Sequence, residues 1–299
     1  MGKLIGLGTI AFDNIKTPAG SVENVIGGTG FYFSVAASLF NPVGVISAVG
    51  KDFHQEHLDF LKSRNVDVAG VEIKDAKTFR WAGSYEGEMN EAKTLSTELN
   101  LLENFRPQVP DSHKDADYLF LGNIDPEIQL NVIRQMEKPK FIGLDTMDFW
   151  IENKREHLLE TIRHVNAVFM NDGEARLLFR TNLLEAAKQA LDLGPQYVVI
   201  KKGSHGAILF SKDARFSIPA YLSEAVDPTG AGDSFAGGFM GWISKTDDLS
   251  ESNMRKALVY ATIIASFNVE GFSLDKLKKI NMKDIQNRYS EFKRMMYFE

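Results

Sequence analysis

The sequence predicts an α/β fold built around a largely parallel sheet. Short apolar runs recur along the chain: KLIGLG, VGVISAVG, YLFLGNID, KFIGLDT, AVFMND and YVVIKKG. The runs do not alternate between apolar and polar residues, which is typical of strands buried on both faces of a sheet. Helical patterns such as DFHQEHLDFLKSRN and NLLEAAKQALDLG stand between them. Strands that alternate with helices indicate βαβ units.

Polar residues follow most of these runs, at the point where each strand should end. They are Asn123 and Asp125, Asp145, Asn171, and Lys201 with Lys202. Open parallel sheets bind their ligands at the carboxyl edge, so together these residues mark a candidate binding edge. Individually, an Asn or Asp at such a position can equally cap the following helix.

Two segments interrupt the strand and helix alternation. Residues 13–28 and 77–100 have the alternating, turn-punctuated pattern of β hairpins. We interpret the chain as one domain, 1–299, with a small β lid made of two excursions at about 13–26 and 77–100. The C-terminal segment MKDIQNRYSEFKRMMYF has apolar residues at helical spacing and predicts a helix packed on the body.

Composition favours a small-molecule partner. The 299 residues carry a formal net charge of -6 and no run of Lys and Arg longer than two, which argues against nucleic acid and membrane surfaces. Cysteine is absent, so thiolate chemistry and disulfides are excluded. The sequence has neither a signal-peptide pattern nor an apolar stretch long enough to span a membrane, and we expect a cytoplasmic protein.

The segment DPTGAGDSFAGGF at residues 227–239 is the sharpest motif. If a helix begins near Gly232, the amides of residues 230–233 are its unpaired N-terminal donors and form an anion site. A carboxylate there would repel a phosphate, unless it accepts a proton from a hydroxyl that attacks the phosphate. Asp233 fits that role. The alternative is an ordinary first-turn carboxylate favoured by the helix dipole.

A second glycine group, Gly27, Gly28 and Gly30, precedes a stretch of small and apolar residues that suits a tightly packed helix. Such glycines allow a ligand or another chain segment to approach the backbone. A plain turn followed by a close helix contact explains them equally well.

Asn171 and Glu174 lie three residues apart, directly after a predicted strand. Their side chains could orient a hydrated cation. They could equally be a helix N-cap and its capping-box partner.

The sequence does not support two other nucleotide-binding motifs. GLGTIA matches a dinucleotide fingerprint, but FDNIKTPAG follows it with a proline and no helical period. A nicotinamide-dependent oxidoreductase would depend on this match alone. The phosphate-binding pattern GxxxxGK[ST] does not occur in the chain.

Together, these motifs resemble the ribokinase-like, or PfkB, carbohydrate kinases. DPTGAGDSFAGGF resembles the second signature of that family, and GGTGFYFSVAAS resembles the first. NDGE is similar to its N-x-x-E element, and VVIKKGSHGAILF is similar to the strand-turn-strand before its nucleotide site. The resemblance covers nearly the whole chain.

The resemblance implies a three-layer α/β/α sandwich with a small β-sheet lid, and an ATP-dependent kinase that phosphorylates a hydroxymethyl group of a sugar or nucleoside. It implies that Asp233 is the general base and that the anion hole consists of Gly230, Ala231 and Gly232. It assigns the acceptor to Asp13, Gly27 and Gly28, and the nucleotide to Asn171, Lys202, Gly203, Gly206 and Asn268. It further implies Mg²⁺ near Glu174 through water, and a potassium ion near Asp227 and Thr229.

Two departures from the family pattern bear on the acceptor and the donor. Tyr32 stands where the first signature usually has Asn, and Lys201-Lys202-Gly203 stands where Thr-Leu-Gly is frequent. With Trp81 and Tyr85 on the lid, Tyr32 predicts an aromatic acceptor site that suits a nucleoside base. Core or lid packing of these rings is the alternative.

A second function class is a catalytically silent nucleotide-binding regulatory protein of the same fold. The presence of Asp233 and the glycines beside it argues against that class. The exposed lid edge also predicts a homodimer formed through the lid.

Overall fold

The computed structural model describes residues 1–90 and 92–297. The strands are β1 Leu4–Leu7, β2 Ala11–Thr17, β3 Gly20–Gly27, β4 Val43–Gly50, β5 Val66–Lys74, β6 Phe79–Ser84, β7 Lys93–Glu98, β8 Tyr118–Leu121, β9 Phe141–Asp145, β10 Ala167–Asn171, β11 Tyr197–Lys201, β12 Ala207–Phe210 and β13 Arg215–Ile218. The α-helices are α1 Thr29–Ser38, α2 Gln55–Ser63, α3 Asp111–Lys114, α4 Pro126–Gln135, α5 Asp148–Asn153, α6 Arg155–Ile162, α7 Asp172–Phe179, α8 Leu183–Asp192, α9 Ala231–Thr246, α10 Glu251–Asn268 and α11 Met282–Met295.

Within the described residues, nine strands form the central sheet in the order β13-β12-β11-β10-β9-β8-β1-β4-β5. The pairs from β11 to β5 are parallel, and β12 and β13 extend the sheet as antiparallel strands. All six apolar runs of the sequence are strands of this sheet. β1, β4, β8 and β9 are buried along their whole length, as runs without alternation predict.

Helices cover both faces of the sheet. Successive residues of β1 belong to different cores: Leu4 packs with residues of α1, α9 and α10, whereas Ile5 packs with residues of α4, α6 and α8. This division follows from the alternation of side chains along a strand. The predicted three-layer α/β/α sandwich is confirmed.

A separate four-stranded sheet, in the order β3-β2-β6-β7, is the predicted lid. β2 with β3 and β6 with β7 are antiparallel pairs, and a parallel contact between β2 and β6 joins the two excursions. All six residues of the edge strand β7 are exposed. A dimer formed through this edge stays a prediction.

The chain after β1 turns into β2 and not into a helix. A dinucleotide fingerprint needs a helix at that point, so GLGTIA is not one. The C-terminal helix is present as α11, with Ile285 and Phe292 fully buried. Among the described residues, no helix has the length and hydropathy needed to cross a membrane.

Candidate active site

Helix α9 begins at Ala231, one residue earlier than the sequence suggested. The Ala231 amide donates to the Pro228 carbonyl at 3.0 Å, so Ala231 does not contribute a free donor to the predicted anion hole. The amides of Gly232 and Asp233 have no acceptor within the described chain. These two amides lie at the positive end of a helix 16 residues long, an arrangement that favours a bound anion, and they are the candidate anion site.

The residue before the helix must be glycine for two reasons. Gly230 has a φ of 73°, in the left-handed region, and the ring of Tyr32 lies against its Cα where a side chain would begin. Tyr32 is only 1% exposed. In this structure the Tyr32 ring is not accessible to a nucleoside base. It packs instead against Gly230, in the loop that precedes α9.

Buried polar side chains fix the loop that leads into α9. The carboxylate of Asp227 accepts from the amides of Thr229 and Ser273, both at 2.9 Å. Asn268 donates to the Thr229 carbonyl at 2.8 Å and accepts from Ser234 Oγ at 3.0 Å. Asn268 is fully buried and does not line the nucleotide cavity, which corrects its expected role. Its two side-chain groups both stabilise the loop.

Asp233 lies in the first turn of α9, partly buried. Burial, together with the nearby Asp145 carboxylate, raises the pKa of Asp233 to about 6, although the Lys201 ammonium opposes the shift. A carboxyl group with this pKa is mostly ionised at neutral pH and is still basic enough to accept a proton.

Lys201 and Asp145 form an ion pair 2.6 Å long beneath the anion site. Their side chains are 16% and 4% exposed. Burial disfavours the Lys201 ammonium, but the carboxylates of Asp145 and Glu174 outweigh burial and raise its pKa. The proton of the pair therefore resides on Lys201. Sequence reasoning placed both residues at strand ends and gave Asp145 no role, whereas Lys201 and Lys202 together were expected to add positive charge that could help bind phosphates.

Asn171 and Glu174 form a reciprocal capping box at the start of α7, with both hydrogen bonds at 2.7 Å. One Glu174 oxygen is thus used in the cap. Burial, reinforced by Asp145 and opposed by Lys201, raises the pKa of Glu174 to about 8. The described residues contain no group of three ligands that could hold a metal alone. A hydrated Mg²⁺ carried by substrate phosphates fits this site better than a directly coordinated ion.

A cavity of about 470 Å³ lies beside the anion site. Its polar lining includes Asn171, Glu174, Lys201 and the turn residues Gly203 and Gly206, and apolar residues of α9 and α10 form another wall. Lys202 is not among the lining residues, so the lysine that faces the cavity is Lys201. Lys201 is the last residue of β11, whereas Lys202 already belongs to the turn that follows it.

The lid contributes Asp13 to the site. Burial, together with the charges of Asp227 and Asp233, raises the pKa of Asp13 to about 8. The Asp13 carboxylate occupies the space where Gly27 would carry a Cβ, and the Thr9 carbonyl does the same at Gly28, whose φ is 88°. In this structure, chain segments rather than a ligand account for these two glycines.

Trp81 pairs in register with Asp13 across the parallel β2 and β6 strands, so both side chains lie on the same face of the lid. The Trp81 indole packs over Gly83 and donates to Thr94 Oγ1 at 3.3 Å. The other two aromatic residues predicted for the acceptor site, Tyr32 and Tyr85, are 1% and 9% exposed, and Phe31 and Phe33 beside Tyr32 are fully buried. Packing is therefore the role of most of these rings, and Trp81 is the remaining candidate.

The described residues form a nine-stranded central sheet between two helical layers, with a small separate sheet beside the candidate anion site, and this is the ribokinase fold. The structure of the nucleoside kinase of Methanocaldococcus jannaschii, an archaeal member of the ribokinase family, superposes with a TM-score of 0.77. The match covers 97% of this chain and 99% of that one at 21% sequence identity.

Residues 4–276 match the model of the pfkB family carbohydrate kinases, and the chain belongs to this family. It is 29% identical to the cytidine kinase of Thermococcus kodakarensis, over 83% of this chain and 91% of that protein. It is 25% identical to the nucleoside kinase of M. jannaschii, over 76% of this chain and 72% of that protein. The protein is thus a kinase that acts on a sugar or a nucleoside.

Proposed function

We propose that this protein transfers the γ-phosphoryl group of ATP to a hydroxymethyl group of a nucleoside, with Asp233 as general base. One observation carries the proposal. The Asp233 carboxyl group, with a pKa raised to about 6, lies in the first turn of α9, whose N-terminal amides are unpaired, and it interacts electrostatically with the cavity-lining Lys201 and with Asp13 of the lid. A proton acceptor next to an anion site is the arrangement that phosphoryl transfer to an alcohol requires.

In the proposed reaction, Asp233 accepts the proton of the acceptor hydroxyl group. The hydroxyl oxygen forms a bond to the γ-phosphorus while the bond from that phosphorus to the β,γ-bridging oxygen breaks. ADP leaves with the electron pair of the broken bond. The amides of Gly232 and Asp233 donate to the oxygens of the phosphoryl group, on which charge accumulates during transfer.

Magnesium would be held through water at Glu174, with Asn171 fixing that carboxylate through the capping box. When bound with ATP, Mg²⁺ neutralises phosphate charge. Gly203 and Gly206, in the turn after β11, would contact the nucleotide. Potassium stays a prediction from the family resemblance, because both carboxylate oxygens of Asp227 already accept amide hydrogen bonds.

A nucleoside acceptor is supported by two observations. Three relatives that align over most of the chain are named cytidine kinase or nucleoside kinase, against one that is named ribokinase. Trp81 lies beside Asp13 on the same lid face, so a base could contact the indole while ribose hydroxyls bind the carboxyl group. Gly27 and Gly28 would shape this pocket by leaving room for Asp13. No feature of the described chain favours a silent regulatory protein.

A substrate panel tests the proposal. The purified protein is incubated with Mg²⁺-ATP and, separately, with cytidine, uridine, adenosine, inosine, ribose and fructose. Product formation is followed by ADP release and by phosphorus NMR. We expect a nucleoside monophosphate phosphorylated on the hydroxymethyl oxygen to be the fastest product. Phosphorylation of free sugars alone would refute the nucleoside assignment and leave the kinase assignment intact.

A further inference from the structure

Lys201 places a positive charge at the N-terminal end of α9. Its Nζ lies 3.2 Å from the position that a Cβ on Gly232 would occupy, and the side chain lines the nucleotide cavity. A cation at the positive end of a helix dipole destabilises the helix, whereas an anion would stabilise it. This position is therefore unfavourable for folding alone, and a bound anion would compensate for it.

The Lys201 ammonium group is fixed by one hydrogen bond and has further donors available. Asp145 Oδ2 accepts from Lys201 Nζ at 2.6 Å, and Asp145 Oδ1 accepts from the Thr146 amide at 2.9 Å, which fixes the carboxylate. An ammonium group has three N–H donors. Within the described residues, Asp145 is its only hydrogen-bond acceptor. The remaining donors can reach a ligand in the cavity.

We propose that Lys201 is a further catalytic residue, whose ammonium group contacts the phosphoryl group during its transfer from ATP. Together with the Gly232 and Asp233 amides it would surround that group with positive charge. Asp145 is then a positioning residue that aims the ammonium. This inference depends on the proposed function, because it assumes that phosphate is transferred at the N-terminus of α9.

A purely structural role for Lys201 would be to neutralise Asp145 and Glu174. Two variants separate the roles. Lys201→Met removes the ammonium but leaves the buried carboxylates without their partner. The double variant Lys201→Met with Asp145→Asn removes both charges of the ion pair, so it keeps the local charge balanced. Lys188→Met is the matched control, because it removes an exposed lysine charge of α8 that does not line the cavity.

We expect kcat to fall about 10²- to 10³-fold in Lys201→Met, the usual effect of losing one donor to a developing oxyanion. The double variant should stay equally slow, Lys201→Arg should recover part of the rate, and Lys188→Met should stay within a few-fold of wild type. Recovery of kcat in the double variant would overturn the proposal, because only charge balance would then matter. The double variant also decides the question if Lys201→Met fails to fold.

Calorimetric binding of ATP, ADP and AMP without acceptor provides an independent readout. The proposal expects Lys201→Met to weaken ATP more than AMP, since only ATP carries the γ-phosphate. An equal loss for all three nucleotides would contradict it. This series needs no acceptor, so failure of the nucleoside panel would refute the proposed acceptor and still leave the role of Lys201 measurable.

Discussion

Alanine substitutions at Gly232 and Gly230 should separate catalysis from folding. At Gly232 the backbone is helical, and the nearest atom to a new Cβ is the mobile Lys201 Nζ at 3.2 Å. Stability should therefore stay the same or rise by up to about 1 kcal/mol, because glycine is the weaker helix former. The methyl group would, however, stand between the Lys201 ammonium and the anion site. We expect kcat to fall about 10²- to 10³-fold, as for loss of an oxyanion donor.

Alanine at Gly230 should instead lower the stability of the protein. A Cβ there would meet the Tyr32 ring, and the φ of 73° costs an L-residue about 1–2 kcal/mol before the clash is counted. At about 2–4 °C per kcal/mol, the backbone alone should lower Tm by several degrees. Thermal unfolding and steady-state kinetics on both variants measure the two effects. A Gly232→Ala protein with wild-type kcat would refute the anion site at the N-terminus of α9.

Three further predictions concern the carboxyl groups and the lid. The rate should fall about tenfold per pH unit below pH 6, because protonation of Asp233, whose pKa is about 6, removes the base. Asp145→Asn should move this limb of the pH-rate profile to lower pH, because the Asp145 charge raises the pKa of Asp233, and an unmoved limb would contradict that assignment. Above pH 8, where Asp13 is ionised, Asp13→Asn should raise the acceptor KM roughly 10- to 100-fold with a smaller change in kcat, as loss of a charged hydrogen bond worth about 1.5–3 kcal/mol requires. Trp81→Ala should weaken nucleosides by the roughly 1–3 kcal/mol of base stacking and leave ribose unaffected, and an unchanged nucleoside KM would exclude the indole from the acceptor site.

The fold could be predicted because its signals are local. The apolar runs that form β1, β4 and β8 to β11 are short and do not alternate with polar residues, which is typical of buried strands. Hairpin patterns indicated both segments of the lid. The start of α9 was predicted to within one residue, because DPTGAGD combines a proline, glycines and a helix-compatible run. Even the alternative interpretation of Asn171 and Glu174 as a capping box is realised in the structure.

The details of the site depend on contacts that are distant in sequence. Asp145 and Lys201 are 56 residues apart and meet only because their strands end at the same edge of the sheet. Lys201 lines the cavity and Lys202 does not, and this depends on the cavity walls, which come from segments far apart in the sequence. The sequence predicts Tyr32 as a site residue. In the structure α1 is buried along nearly its whole length, and the Tyr32 ring lies against Gly230.

The role of Asp233 is the central claim, and Asp233→Asn tests it most directly. The substitution keeps the size of the side chain and removes the proton acceptor, so we expect ATP affinity and Tm to stay close to wild type. Single-turnover phosphorylation of the best nucleoside, with the acceptor saturating, should slow by about 10²- to 10⁴-fold, the usual contribution of a positioned general base. A rate near that of the wild type would contradict the assignment of Asp233 as the base.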